Sequence, residues 1–317
     1  MKMTAFSYAA AVATTISICL LPVGSADAQI PGSEMAASVN LSTQDAWADG
    51  ELFIAEGVEH VRCVLVVIDW GLGYYQYIDQ ELRKALRSVE CGLLQLRIRN
   101  IRSRPRGREA QLIVRDASEG GANGLVALAD AFADGFGRPE LSDVPYVFWG
   151  HSAAGTFGLT FAGLYPERTL AFVRYNSHLR DLSVDMSIVT GIPGLLIAGA
   201  MDEVAGTEDA RNLWAAGRAA GAPWALAIQP GSPHGSEEFL SASNALLIPW
   251  LQAVVALRVD PRRSGLRPIS KAIGWLAEEG TGRVRANRDA DSATSQTSWL
   301  PDEASAHGWQ VVTGTAR

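Results

Sequence analysis

One short stretch constrains the chain more than any other: Gly150-His151-Ser152-Ala153-Ala154-Gly155. Before it, Val144-Pro145-Tyr146-Val147-Phe148-Trp149 is aromatic and β-branched and reads as a buried strand. After it, Thr156 to Tyr165 is apolar at helical spacing and is stopped by Pro166. A serine thus falls at a sharp strand-to-helix corner, with small residues on both sides. Such a corner strains the serine backbone and lifts its hydroxyl above the sheet edge. It also aims the first N–H groups of the helix at the same point. The stretch departs from the strict G-x-S-x-G spacing: Ala154 stands where the pattern has glycine, and Gly155 follows. A plainer reading is a Gly/Ala-rich turn whose serine merely caps the helix.

Strand-like and helix-like segments alternate on both sides of this corner. Leu52 to Ala55 reads as a short strand, and Val61 to Ile68 is a nearly unbroken apolar run that fits a strand covered on both faces. Helices are expected over 77–89, 124–136, 207–220 and 237–257, and further strands over 91–101, 170–175, 193–199 and 224–228. Alternation of this kind predicts an α/β fold, a mostly parallel sheet with helices on both faces. In such sheets chemistry gathers at the carboxyl ends of the strands.

Three reactive side chains follow such strand ends: Ser152, Asp202 after Gly199-Ala200-Met201, and His234 in the loop Gln229 to Gly235. Acyl transfer needs a nucleophile, a base for its proton, and an acid that orients the base. Histidine suits the base because it titrates near neutrality. Glu203, Asp181 and Asp185 are rival acids, but only Asp202 turns directly off its strand. Among the histidines, His178 is the runner-up base, or a rim residue that contacts substrate. His60 lies at the wrong end of its strand and His307 lies near the end of the chain. His151 reads as a packing or hydrogen-bonding neighbour of the serine, or a substrate contact. An oxyanion also needs two backbone donors. Ala153 N–H is the first candidate, and Leu72 N–H in Trp70-Gly71-Leu72-Gly73 the second, with Trp70 a substrate contact.

GHSAAG between strand and helix, GAMD after a later strand and SPHG after the last one together resemble the α/β-hydrolase superfamily, over roughly residues 50–257. Within it, the chain is similar to secreted esterases of the polyhydroxyalkanoate-depolymerase and feruloyl-esterase-like groups. Their HG-x-G oxyanion loop stands here as WGLG, with Trp70 in place of histidine. The resemblance implies an eight-stranded, mostly parallel sheet, no metal and no organic cofactor, and an ester substrate, small or polymeric. The short connection between the strands at 170–175 and 193–199 leaves no room for a large lid. A peptidase or amidase with the same triad, or a catalytically silent binding protein of this fold, is the alternative.

The outer regions carry expectations of their own. Residues 1–28 begin with Lys2, run apolar and uncharged from Thr4 to Val23, and end in Ala26-Asp27-Ala28, which fits a secretory signal and a small-x-small cleavage site. An uncleaved membrane anchor is the runner-up, and a secreted or periplasmic protein without a lasting anchor is expected. Beyond that segment, only Cys63 and Cys91 remain, at the starts of two adjacent parallel strands, which favours a disulfide over two buried thiols. Residues 29–49 read as a surface leader. Residues 258–317 read as an extension with a flexible connector at 280–298 and a short docking helix near Trp299 and Trp309. The arginines from Arg97 to Arg108 read as a solvated loop or, more sharply, an anion-binding patch. A formal net charge of −7 argues against nucleic-acid binding.

Overall fold

The computed structural model describes residues 31–41, 46–68, 80–100, 117–179, 184–260, 265–270, 273–287 and 296–316. The expected signal at 1–28, the loop containing Trp70 and Leu72, Asp181, and the arginine cluster from Arg102 to Arg108 lie outside the described residues.

Eight strands form the main sheet: β1 (Gly32–Leu41), β2 (Ala46–Ala55), β3 (Cys63–Ile68), β4 (Cys91–Asn100), β5 (Tyr146–His151), β6 (Thr169–Tyr175), β7 (Gly194–Gly199) and β8 (Trp224–Gln229). Their order is β1-β2-β4-β3-β5-β6-β7-β8. β3 to β8 run parallel to one another, whereas β1 pairs antiparallel with β2 and β2 antiparallel with β4. Every residue of β3, β5, β6 and β7 is buried, as continuous apolar runs require when both faces of a sheet are covered. Helices α1 (Gln80–Ser88), α2 (Ala122–Phe136), α3 (Phe157–Leu164) and α4 (Met186–Val189) join the earlier strands. α5 (Thr207–Ala219) precedes β8, and α6 (Glu237–Ala242) and α7 (Asn244–Arg258) follow it. The single helix expected over 237–257 is broken at Ser243, whose hydroxyl donates to Leu240 O at 2.6 Å.

The surface leader expected at 29–49 is corrected. Residues 32–41 are an edge strand in register with β2, Met35 opposite Leu52 and Val39 opposite Ala48. Met35, Ala37 and Val39 are buried while Glu34, Ala36 and Ser38 are less so, a period of two that small residues hide in the sequence. Met35 packs beside Gly135 of α2, where an added Cβ would lie 2.5 Å from its sulfur.

The C-terminal extension is also more ordered than expected. β9 (Trp275–Glu278), β10 (Val284–Ala286) and β11 (Thr297–Leu300) form a three-stranded antiparallel sheet, so part of the expected connector is strand. Trp299 belongs to β11, and its indole donates to Ile273 O at 2.8 Å. α8 (Glu303–Val312) is the docking helix, capped by Asp302, with Trp309 buried and donating to Leu226 O at 2.6 Å. Leu226 lies in β8, and its N–H donates to Ser298 Oγ at 2.8 Å. The extension therefore covers the outer edge of the main sheet.

Cys63 and Cys91 are register partners at the start of β3 and β4 and form a disulfide, with Cα atoms 4.6 Å apart. The bridge closes a loop with a sequence separation of 28. Loop-closure entropy assigns such a bridge about 3–4 kcal/mol. Urea unfolding with and without reductant should show a loss of that order. Ser298→Ala leaves the buried Leu226 N–H without its acceptor and should lower stability by about 1–3 kcal/mol in the same assay.

Candidate active site

β5 delivers Ser152 to the corner. His151 is the last extended residue, and Ser152 takes φ +55°, a left-handed conformation that few non-glycine residues hold. A 3-10 turn over Ser152–Thr156 then leads into α3. The corner is tight at two glycines. A Cβ on Gly150 would lie 2.3 Å from Ala154 O, and one on Gly155 would lie 2.7 Å from Gly150 O. Both positions exclude any side chain. Position 154, glycine in the strict pattern, holds a buried alanine here. The crowding falls on positions 150 and 155.

β7 delivers Asp202 through the turn Gly199 to Asp202, closed by Asp202 N–H to Gly199 O at 3.3 Å. One carboxylate oxygen accepts the N–H groups of Val204 and Ala205, each at 2.9 Å. The other lies 2.9 Å from His234 Nδ1. β8 delivers His234, whose Nε2 lies 3.0 Å from Ser152 Oγ. An ionised carboxylate only accepts, so Nδ1 carries the proton and Nε2 is left to accept from the serine hydroxyl. Burial by itself raises the Asp202 pKa. The bonds from His234 and from the N–H groups of Ala205 and Val204 outweigh it, and the net shift is downward. The structure brings Ser152, Asp202 and His234 into one connected line, with serine and aspartate nearly buried and the histidine ring partly open.

No family model matches the chain, and no curated protein matches it. Solved structures do. The chain is similar to a zinc-bound cold-adapted esterase from an Arctic intertidal metagenomic library, at 15% identity and a TM-score of 0.50, over 76% of this chain and 100% of that one. It is similar to a ferulic acid esterase at 9% identity and a TM-score of 0.50, over 71% of this chain and 99% of that one. The chain has the α/β-hydrolase fold.

The α/β-hydrolase sheet also fixes the residues around this line. His151 is 1% exposed and packs against His234, ring centroids 4.7 Å apart, which fits a packing neighbour of the serine. Burial first, and the neighbouring His234 second, push its pKa down to about 3. His178 is buried, and its carbonyl accepts the Thr156 hydroxyl at 3.1 Å. Asp185 caps α4 by accepting Ser187 N–H at 2.9 Å. Ala153 follows the serine at the start of the turn and is buried.

Sequence reasoning passed over a polar layer beneath the site. Arg174, buried in β6, donates to Gly155 O at 3.1 Å and to Ser177 Oγ at 3.2 Å, which pins the outgoing side of the corner. Tyr175 donates to Gln229 Oε1 at 2.7 Å, and Gln229 donates to Phe239 O at 2.9 Å. Asn176 holds φ +45° directly after β6. The one available signal was an arginine and an asparagine inside and just after a predicted buried strand, where each must find partners.

The depressed His151 value makes a testable statement about acid stability. Between pH 6.5 and about 3 the unfolded chain binds a proton at His151 that the folded chain refuses. Stability therefore falls as pH falls through that window. His151→Gln removes this contribution. Urea unfolding at pH 7 and pH 4 should show a smaller acid loss in the variant than in the wild type.

Proposed function

We propose that the chain is a serine hydrolase that cleaves carboxylic esters through an acyl-enzyme. The observation that carries this reading is the unbroken contact from Ser152 Oγ through His234 to Asp202. Ser152 Oγ attacks the ester carbonyl while His234 Nε2 takes its proton. Asp202 stabilises the imidazolium that results. The tetrahedral oxyanion lies against the N–H groups of Ala153 and Leu72. Collapse expels the alcohol, which receives the proton from His234. Water then gives up a proton to the same nitrogen and attacks the acyl group; the bond to Ser152 Oγ breaks, that oxygen takes the proton back from His234, and the acid leaves.

The substrate class is a carboxylic ester, either small or part of a polymer, and the reading requires no cofactor. We also propose that the protein acts outside the cytoplasm, in the periplasm or beyond, after removal of residues 1–28. The Cys63–Cys91 disulfide supports an oxidising compartment.

A fluorophosphonate probe should label the wild type, and Ser152→Ala should abolish both labelling and hydrolysis of p-nitrophenyl esters. Loss of the nucleophile should reduce kcat by about 10⁶-fold, to the background of the assay. A wild type that neither labels nor hydrolyses any ester in a chain-length series, feruloyl esters included, would overturn the proposal.

A further inference from the structure

We propose that Asn176 is a positioning residue that sets the acid and base loops against the nucleophile strand. The inference rests on the serine-hydrolase reading above and adds a residue to it. β5 and β6 are parallel neighbours, and His151 and Tyr175 are register partners at their ends. Ser152 and Asn176 are the next residues along each strand. Both leave the sheet with a left-handed backbone, φ +55° and +45°. Asparagine is among the few side chains that tolerate that conformation.

The Asn176 side chain then does two things at once. Its Oδ1 accepts Gly199 N–H at 2.7 Å, at the start of the turn that carries Asp202. Its Nδ2 donates to Pro233 O at 3.1 Å, on the residue before His234. The residue is 1% exposed; the bond from Gly199 is buried and the bond to Pro233 is partly so. Its own N–H donates to Ile197 O at 2.8 Å, which continues the β6–β7 ladder to this point.

The acid and base loops are also tied directly to each other. Met201 N–H donates to Ser232 O and Ala200 N–H to Gln229 O, each at 2.9 Å. Those bonds hold Asp202 and His234 as a pair. They do not fix where the pair stands relative to Ser152. Asn176 supplies that registration, because its backbone belongs to the strand beside β5 while its amide grips both loops. The task needs one acceptor and one donor on a short planar side chain. Aspartate lacks the donor when ionised, and leucine lacks both.

The test uses the full chain and two variants. N176G keeps the left-handed backbone at no steric cost and removes both bonds. N176D keeps an acceptor for Gly199 N–H and sets an oxygen against Pro233 O. A fluorophosphonate titration counts competent sites, and p-nitrophenyl acetate gives kcat and KM per competent site. Misplacement of the base on the ångström scale predicts a loss of about 10- to 100-fold in kcat for both variants. KM should stay within about two-fold, because residue 176 does not touch the ester. A merely structural asparagine would lower the melting temperature and leave kcat per titrated site unchanged. That result in either folded variant overturns the inference, as does a rise in KM at constant kcat. If N176G fails to fold, N176D decides alone. A wild type without labelling or turnover overturns the hydrolase reading and this inference together. A labelled wild type with unimpaired variants overturns this inference only.

Discussion

The closeness of Gly150 to the carbonyl of Ala154 governs the rest of the site. With 2.3 Å between that oxygen and any added Cβ, strand and turn meet at backbone contact. Only then does the chain reverse within one residue, and only then is Ser152 driven into the left-handed region. The parallel register of β5 to β8 does the remaining work. It brings the carboxyl ends of β5, β7 and β8 to one edge, so side chains distant in sequence approach without a long loop. The strain held at Ser152 is balanced by Arg174, which binds Gly155 O, and by the packing of α3 on β5 through Gly158 and Phe148.

The electrostatics follow from burial. Asp202 is removed from water, yet it stays charged because two backbone N–H groups and one imidazole face it. His151 stands behind His234 with no such compensation strong enough to offset its burial, and it remains neutral. Two imidazolium rings 4.7 Å apart would repel each other. A neutral His151 avoids that repulsion. Its ring lies tilted by 45° to that of His234.

Much of this was legible in the sequence, for reasons tied to particular residues. The runs at 63–68, 146–149, 194–199 and 224–228 are apolar without interruption, and a strand buried in a covered sheet leaves that mark. Ser152, Asp202 and His234 each follow such a run, so topology alone sends them to one edge. β1 escaped notice because alanine and serine blur its alternation, and its pairing with β2 is a long-range fact. β9, β10 and β11 escaped for a related reason: strands of three and four residues are too short to show a period. The burial of His178, with its carbonyl accepting the Thr156 hydroxyl, leaves no trace in spacing. Asn176 was hidden by the polar stretch that it opens.

The extension after α7 gives the fold a further property. Strand margins are adhesive, since unpaired amides and carbonyls invite another polypeptide to zip on. At Leu226, midway along β8, Ser298 accepts the amide while Ser298 and Trp309 both donate to the carbonyl. Those groups are consumed internally, by side chains that offer no ladder to propagate. At that residue the outer margin of β8 has no amide or carbonyl left to offer a second strand, so the same C-terminal segment that completes the hydrophobic packing also interrupts the template for strand-by-strand growth.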